Sequence, residues 1–288
     1  MWIRLLGNRN NIKRGECIQK ILAKNNIQAK IIISSKPYEI TEIVKELSKI
    51  TTRFYIIGGD GTLNEAVTGV IGSDSEIVII PAGTGNDFIK TISKYQSFRK
   101  IVLSSINTPA TPTDIIKFNK DKYCINILNL GFDAKIAANI DKFRKLPFLS
   151  GSGKYNLSIF YTLIKNQNYR LKIRINDKIL KGNFTLAAIA NGKFYGGGVC
   201  PEPTADTTDG ILNVCVVTSS SLLEKLFLLP KYKKGKHEKI QQLTHFETKE
   251  IIVSSLKKIP VSIDGEVIFT NRINAKILPK AVNIVHIK

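Results

Sequence analysis

The chain has 288 residues, 43% apolar and 23% charged, a composition that fits one large or two smaller packed domains and excludes wholesale disorder. No apolar stretch approaches the ~18 residues of a membrane-spanning helix, and the first ten residues lack a signal-like apolar segment, so export is not expected. The net charge of +20 is uneven, +5 over residues 1–114 and +15 over 115–288, which points the second part at an anionic partner or at a plain lysine-rich surface.

In chain order, residues 1–6 read as a strand, 12–24 as a helix, 29–33 as a β-branched strand and 40–47 as a helix. Residues 54–57 form a further apolar strand broken by Gly58 and Gly59, 63–70 a helix, and 77–80 a strand ended by Pro81. Strands alternating with helices predict a parallel sheet covered on both faces. Beyond about residue 112 the rhythm changes to short strands at 117–130, 169–175, 183–190, 211–217, 250–253 and 261–263, with helices only at 154–165 and 222–229. That pattern predicts an antiparallel sheet or sandwich. Cys17, Cys124, Cys200 and Cys215 form no Cys-x-x-Cys pair and have no His at ligand spacing, so they read as free thiols in a reducing cytoplasm. His237 and His245 likewise have no Cys or carboxylate at ligand spacing, and no metal is expected there.

Two glycine-rich loops carry the chemistry. The first, Gly58-Gly59-Asp60-Gly61-Thr62-Leu63-Asn64-Glu65, lies between a strand and a helix, where backbone N–H groups and the helix N-terminus favour an anion. Asp60 repels phosphate, so its sensible partner is Mg²⁺ or the water around it. The second, Pro81-Ala82-Gly83-Thr84-Gly85-Asn86-Asp87-Phe88, also follows a buried strand and also carries Thr and Asp. In a parallel sheet both loops leave the carboxyl edge, where ligands bind. Neither is a Walker A loop or a GxGxxG fingerprint.

These loops resemble those of the diacylglycerol kinase catalytic-domain family, in its bacterial soluble lipid kinase branch, which is related to sphingosine kinases. The likeness continues through Thr113-Asp114-Ile115, Asn129-Leu130-Gly131-Phe132-Asp133, the stretch from Asn191 to Gly198, Asp209-Gly210-Ile211-Leu212, Gly235-Lys236-His237 and Ile263-Asp264-Gly265-Glu266. It departs at the opening loop, where Asn8 is in place but the family's Pro and Gly are missing. The rhythm and the resemblance together give an α/β plus β fold class. An N-terminal Rossmann-like parallel sheet with helices is expected over residues 1–115, and a C-terminal antiparallel β-sandwich over 116–271. Residues 272–288 are expected to pack back on the first domain, with a nucleotide cleft between the domains.

The resemblance implies an ATP-dependent lipid kinase that passes the γ-phosphoryl of ATP to a hydroxyl of diacylglycerol or a similar lipid, giving phosphatidic acid or a related phospholipid. It assigns nucleotide contacts to Asn8, Ser34, Gly58, Gly59, Asp60, Gly61, Thr62, Leu63, Asn64, Gly83 and Thr84. A catalytic Mg²⁺ network falls to Asp60, Asp87 and Asp114, and a structural Mg²⁺ to the Asp209 side chain and the carbonyls of Asp206 and Ile211. The resemblance also makes Asp264 or Glu266 the expected general base, although the Asp-Gly pair alone reads as a hairpin turn. Apolar residues beside basic ones at 141–155 and 226–239 suit an anionic membrane surface, or else a core-facing helix with a solvated loop. The expected setting is therefore cytoplasmic and peripheral to the inner face of the membrane, with no nucleic acid partner and with a homodimer allowed. An enzyme resembling NAD kinase and a noncatalytic anion-binding protein are the competing readings.

Overall fold

The strands that position the candidate site are those with unbroken β-branched or aromatic runs. In a computed structural model that describes all residues except 1, 7–8, 121, 144–150, 166, 238–239 and 288, the two that precede the glycine-rich loops, residues 53–58 and 76–81, are buried on both faces. The chain divides into two compact units, one of Met1–Ile115, Thr207–Gly210 and Leu278–Lys288, the other of Ile116–Asp206 and Ile211–Ile277.

The first unit alternates β1 (Trp2–Leu6), α1 (Arg9–Ala23), β2 (Lys30–Ser34), α2 (Glu39–Leu47), β3 (Arg53–Gly58), α3 (Asp60–Val70) and β4 (Glu76–Pro81), then adds α4 (Asp87–Ile92) and α5 (Phe98–Asn107). Strand β1 pairs parallel with β2 and β3, and β3 pairs parallel with β4. The chain's last strand, residues 266–284, brings Asn283 and Ile284 parallel to β4. Phe54, Tyr55, Ile56, Ile57, Ile77, Val78 and Ile80 are at most 2% exposed, which is what a central parallel strand covered by helices requires. Helices α4 and α5 were not expected from sequence; α4 is only six residues long, and α5 buries just Ile101, Val102 and Ser105.

The segment 207–210, expected with the second domain, belongs to the first unit. Asp114 holds it there: the Asp114 N–H donates to the Thr207 carbonyl at 2.7 Å, and the Gly210 N–H donates to Asp114 Oδ2 at 2.6 Å.

The second unit starts within β5 (Thr111–Phe118) and continues through β6 (Lys122–Cys124), β7 (Ile127–Gly131), α6 (Phe132–Phe143), α7 (Gly151–Lys165), β8 (Tyr169–Ile175), β9 (Lys178–Ala190), β10 (Leu212–Thr218), α8 (Leu222–Lys233), β11 (Leu243–Thr248), β12 (Glu250–Ile263) and β13 (Glu266–Ile284), whose residues up to Ile277 it includes. Its pairings are antiparallel, in the order β11, β10, β9, β7, β12, β13, with β8 joining β9 and β12. Strand β8 alternates cleanly, with Tyr169, Leu171, Ile173 and Ile175 buried and Arg170, Lys172 and Arg174 exposed. Strand β10 is buried on both faces. Leu212, Val214 and Val216 join one core, whereas Cys215 and Val217 join a second core with Phe132, Ile136, Leu163 and Tyr232 of the helices. The stretches read as two strands at 250–253 and 261–263 are one strand with a register shift between Ser254 and Ile259. The stretch read as one strand at 117–130 is instead three segments, the end of β5, then β6 and β7.

Candidate active site

Gly58 lies opposite Pro81 in the β3–β4 register, so the two glycine-rich loops leave one sheet edge side by side. They touch through backbone. A Cβ on Gly83 would lie 2.5 Å from the Cα of Gly59, closer than any side chain tolerates. The Ala82 N–H donates to the Gly58 carbonyl at 2.9 Å, and Asn86, in the left-handed region at φ 48°, closes the second loop through bonds between its side-chain amide and the backbone of Gly83.

Asp60 joins the loops a second time. Its Oδ1 accepts from the N–H groups of Asp87 at 2.9 Å and Phe88 at 3.3 Å. Asp60 Oδ2 and Asp87 Oδ2 lie 3.0 and 3.2 Å from the point a Gly85 Cβ would occupy, so both carboxylates face one small gap kept open by a glycine. Lys90 pairs with Asp87 at 2.6 Å. Gly61, Gly83 and Thr84 are exposed at this edge, and Gly59 and Asn64 are partly so. Thr62 packs against Gly58, and Leu63 is core with its N–H already donated to the Gly59 carbonyl. Leu63, expected among the nucleotide contacts, packs in the core of the first unit.

Ser34 ends β2 on the same edge as β3 and β4, and its hydroxyl, in a residue 3% exposed, has no hydrogen-bond partner among the described residues. Glu65 has a buried Oε2 in the same condition, and sequence reading gave it no role. A buried oxygen without a donor is costly, and a bound ligand or cation is one remedy. Asn8 lies outside the described residues. The backbone and oxygen donors present here fit a phosphate chain and a hard cation.

Asp114 does not gather with Asp60 and Asp87 into a group of ligand atoms within 4.8 Å of one another. Its residue is 0% exposed, and its carboxylate accepts from the N–H groups of Gly210 at 2.6 Å and Lys280 at 2.7 Å, which stitches three segments of the first unit. Of the expected structural Mg²⁺ residues, Asp209 falls in the first unit, and Asp206 and Ile211 in the second. Asp209 and Asp206 are exposed.

In the second unit the two candidate bases part company. Asp264, at φ 48° in the β12–β13 turn, accepts at Oδ2 from the Ile125 N–H (2.8 Å). At Oδ1 it accepts from Asn126 N–H (3.0 Å), Ile127 N–H (3.3 Å) and the Cys124 thiol (3.1 Å). It fixes the β6–β7 turn. Glu266 is half exposed and lies 3.8 Å from Lys122.

Asp133, which opens α6, is buried, and its carboxylate accepts from the hydroxyls of Tyr195 and Tyr232. Burial pushes its pKa up to about 6, against the restraining effect of the two hydroxyls. A carboxyl raised on folding binds its proton more tightly in the native state, so stability falls as pH rises from the unfolded value through about 6. At ~1.4 kcal/mol per unit the cost above that range is of the order of 3 kcal/mol. Asp133→Asn, whose amide oxygen still accepts, is expected to melt higher than wild type at pH 8 and level with it near pH 4. Parallel melting curves across that range would show that no such charge is buried.

His237 and His245, expected to lack any metal-ligand partner, are brought against Cys215, with one ligand atom from each within 4.8 Å of the others. Spacing along the chain could not show this, because Cys215 and His245 are opposite each other across the β10–β11 pair.

Paired glycine loops at one sheet edge, joined by the Asp60 carboxylate, mark the first unit, and the second unit is an antiparallel β unit with helices. Residues 7–118 match the family described as diacylglycerol kinase catalytic domain, and residues 126–286 the YegS C-terminal NAD kinase beta sandwich-like domain. The chain belongs to this diacylglycerol kinase family of kinases. Relatives from Staphylococcus aureus strains Mu3 and Newman, each named "Putative lipid kinase", are 30% identical over 260 residues, spanning 84% of this chain and 82% of theirs. Two solved structures from Bacillus anthracis strain Sterne, named "a putative diacylglycerol kinase" and "a diacylglycerol kinases", superpose with TM-scores of 0.81 and 0.75 at 21% and 18% identity. Each covers 99% of this chain and 96% of its own, a likeness of fold. Among the described residues no helix is long and apolar enough to cross a membrane.

Proposed function

We propose that this chain is an ATP- and Mg²⁺-dependent kinase whose acceptor is the hydroxyl of diacylglycerol or a closely similar lipid. The observation that carries the reading is the backbone contact of Gly59 with Gly83, with the carboxylates of Asp60 and Asp87 over Gly85. Phosphoryl transfer asks mainly for positioning and neutralised charge. The backbone of Gly59, Gly61, Gly83 and Thr84, with the Ser34 hydroxyl, would hold the nucleotide phosphates, and Asp60 and Asp87 the cation or its water. Mg²⁺ supplies charge neutralisation on the phosphates. By family resemblance, the Asp264–Glu266 turn supplies the carboxylate that takes the hydroxyl proton.

In the second unit Phe132, Leu186, Val217, Leu228, Leu229 and Tyr232 line a small apolar recess between the sheet and α8, with room for little more than a water molecule. The outer face of α8 exposes Leu223, Leu226 and Phe227 (77%), followed by exposed Lys231, Lys233, Lys234 and Lys236. Apolar side chains beside a lysine cluster suit docking on anionic lipid, each lysine worth roughly 1 kcal/mol near the surface. The segment 144–150, which carries the other expected patch, lies outside the described residues.

One experiment tests both parts. The chain, with γ-labelled ATP and Mg²⁺, is offered diacylglycerol in detergent micelles, diacylglycerol in anionic vesicles, NAD, or no acceptor. Label is expected in the lipid alone. Neutralising the four lysines should lower vesicle turnover in a salt-dependent way and spare the micelle reaction. Label in NAD, or in inorganic phosphate only, overturns the lipid assignment. Equal vesicle turnover by both proteins leaves the lysines a solvated surface.

A further inference from the structure

We infer that the second unit holds a Zn²⁺ site built from the Cys215 thiolate and the imidazoles of His237 and His245. Cys215 on β10 and His245 on β11 face each other across an antiparallel pair, and His237 arrives from the turn after α8. Their ligand atoms lie within 4.8 Å of one another, and the two imidazoles stack at a centroid distance of 5.4 Å. A tetrahedral Zn²⁺ with ~2.3 Å bonds to sulfur and ~2.0 Å bonds to nitrogen needs its donors roughly 3.5 Å apart, an adjustment of about an ångström by side-chain rotation.

Hydrogen bonds set both rings in a tautomer that leaves a lone pair for a metal. His237 Nε2 meets the Pro201 carbonyl at 2.9 Å, so Nε2 carries the proton and the lone pair sits on Nδ1. That Nδ1 belongs to a residue 1% exposed and has no hydrogen-bond partner among the described residues. His245 Nδ1 meets Glu202 Oε1 at 2.9 Å, which places the second lone pair on Nε2. A carbonyl or carboxylate behind a metal-binding imidazole is the usual outer support of such sites, and Glu202 is itself 3% exposed. The thiol is 0% exposed, and burial together with the nearby Glu202 and Asp133 carboxylates pushes its pKa well up, a cost that a divalent cation would reverse. One thiolate and two neutral imidazoles are a borderline-soft donor set that suits Zn²⁺ over Mg²⁺. His245, with 31% of its side chain exposed, provides the approach from solvent. None of these residues belongs to the glycine-loop site, so the proposal stands apart from the kinase reading.

The test uses the full chain, stripped by chelator and titrated with ZnCl₂ and separately with CoCl₂. About one Zn²⁺ per chain is expected to bind and to raise the melting temperature by several degrees. The Co²⁺ form should show a thiolate-to-cobalt charge-transfer band. His245→Gln, at a partly exposed position that the fold tolerates, should weaken Zn²⁺ binding at least tenfold, and Cys215→Ala should abolish the band. Glu202→Gln should cost about 10–100-fold in affinity. Saturable binding no stronger than in the Cys215→Ala/His245→Gln double variant overturns the site, as does a Co²⁺ complex without the charge-transfer band.

Discussion

Asp60→Asn is expected to lower kcat for phosphoryl transfer by about a hundredfold to a thousandfold, the scale at which one preorganised electrostatic group is usually lost, with melting unchanged. The separation of the two effects follows from what each carboxylate oxygen does. Oδ1 accepts the N–H groups of Asp87 and Phe88, and the amide oxygen of Asn can go on accepting them. What disappears is the negative charge beside Gly85, the part that a cation would use. Asp60→Ala removes both, and should add a stability loss of about 1 kcal/mol from the missing cap of α4. Raising Mg²⁺ should recover part of the Asn variant's activity, since a weakened cation site is filled by mass action. Wild-type kcat in Asp60→Asn would take Asp60 out of the cation's surroundings and leave it a loop fastener.

The glycine loops were legible because their cause is local. Residues 54–57 and 77–80 are continuous apolar runs, which in alternation with helices mark buried parallel strands, and such strands aim their following loops at one edge. The backbone contact of Gly59 with Gly83 turns that inference into geometry. Residues whose role depends on distant partners read poorly. Asp114 reads as a metal carboxylate in sequence, and nothing local shows that its oxygens accept backbone N–H groups from Gly210 and Lys280, 96 and 166 residues away. Asp264 looked like a base or a turn residue, and nothing nearby in sequence reveals its four donors at 124–127. The Cys215, His237 and His245 cluster was missed because β11 was not expected. Without that strand the register that sets Cys215 against His245 does not exist. Strand β13 escaped for a related reason. Its burial pattern is irregular over 19 residues, because it pairs antiparallel with β12 at one end and parallel with β4 at the other.

Gly83→Ala is expected to damage folding and nucleotide binding together. Gly83 has no positive φ, so the added methyl meets no conformational penalty of its own; the cost is space. The new Cβ would lie 2.5 Å from Gly59 Cα and 3.2 Å from Gly59 N, and backbone atoms cannot swing aside as a side chain tip can. The loops must part, at an overpacking cost of roughly 1–3 kcal/mol. A displacement of about 1 Å in groups that position a reacting phosphate can cost a hundredfold in rate. Gly61→Ala is the contrasting case. Its Cβ would meet nothing within 4 Å, and it lies in the first turn of α3, where Ala gains helix propensity of up to ~1 kcal/mol over Gly. Gly83→Ala should therefore melt several degrees below wild type and bind ATP at least tenfold more weakly, whereas Gly61→Ala melts at or above the wild-type temperature. A Gly83→Ala protein with wild-type melting and ATP affinity would mean that the two loops are not held in backbone contact, and the shared phosphate seat would lose its foundation.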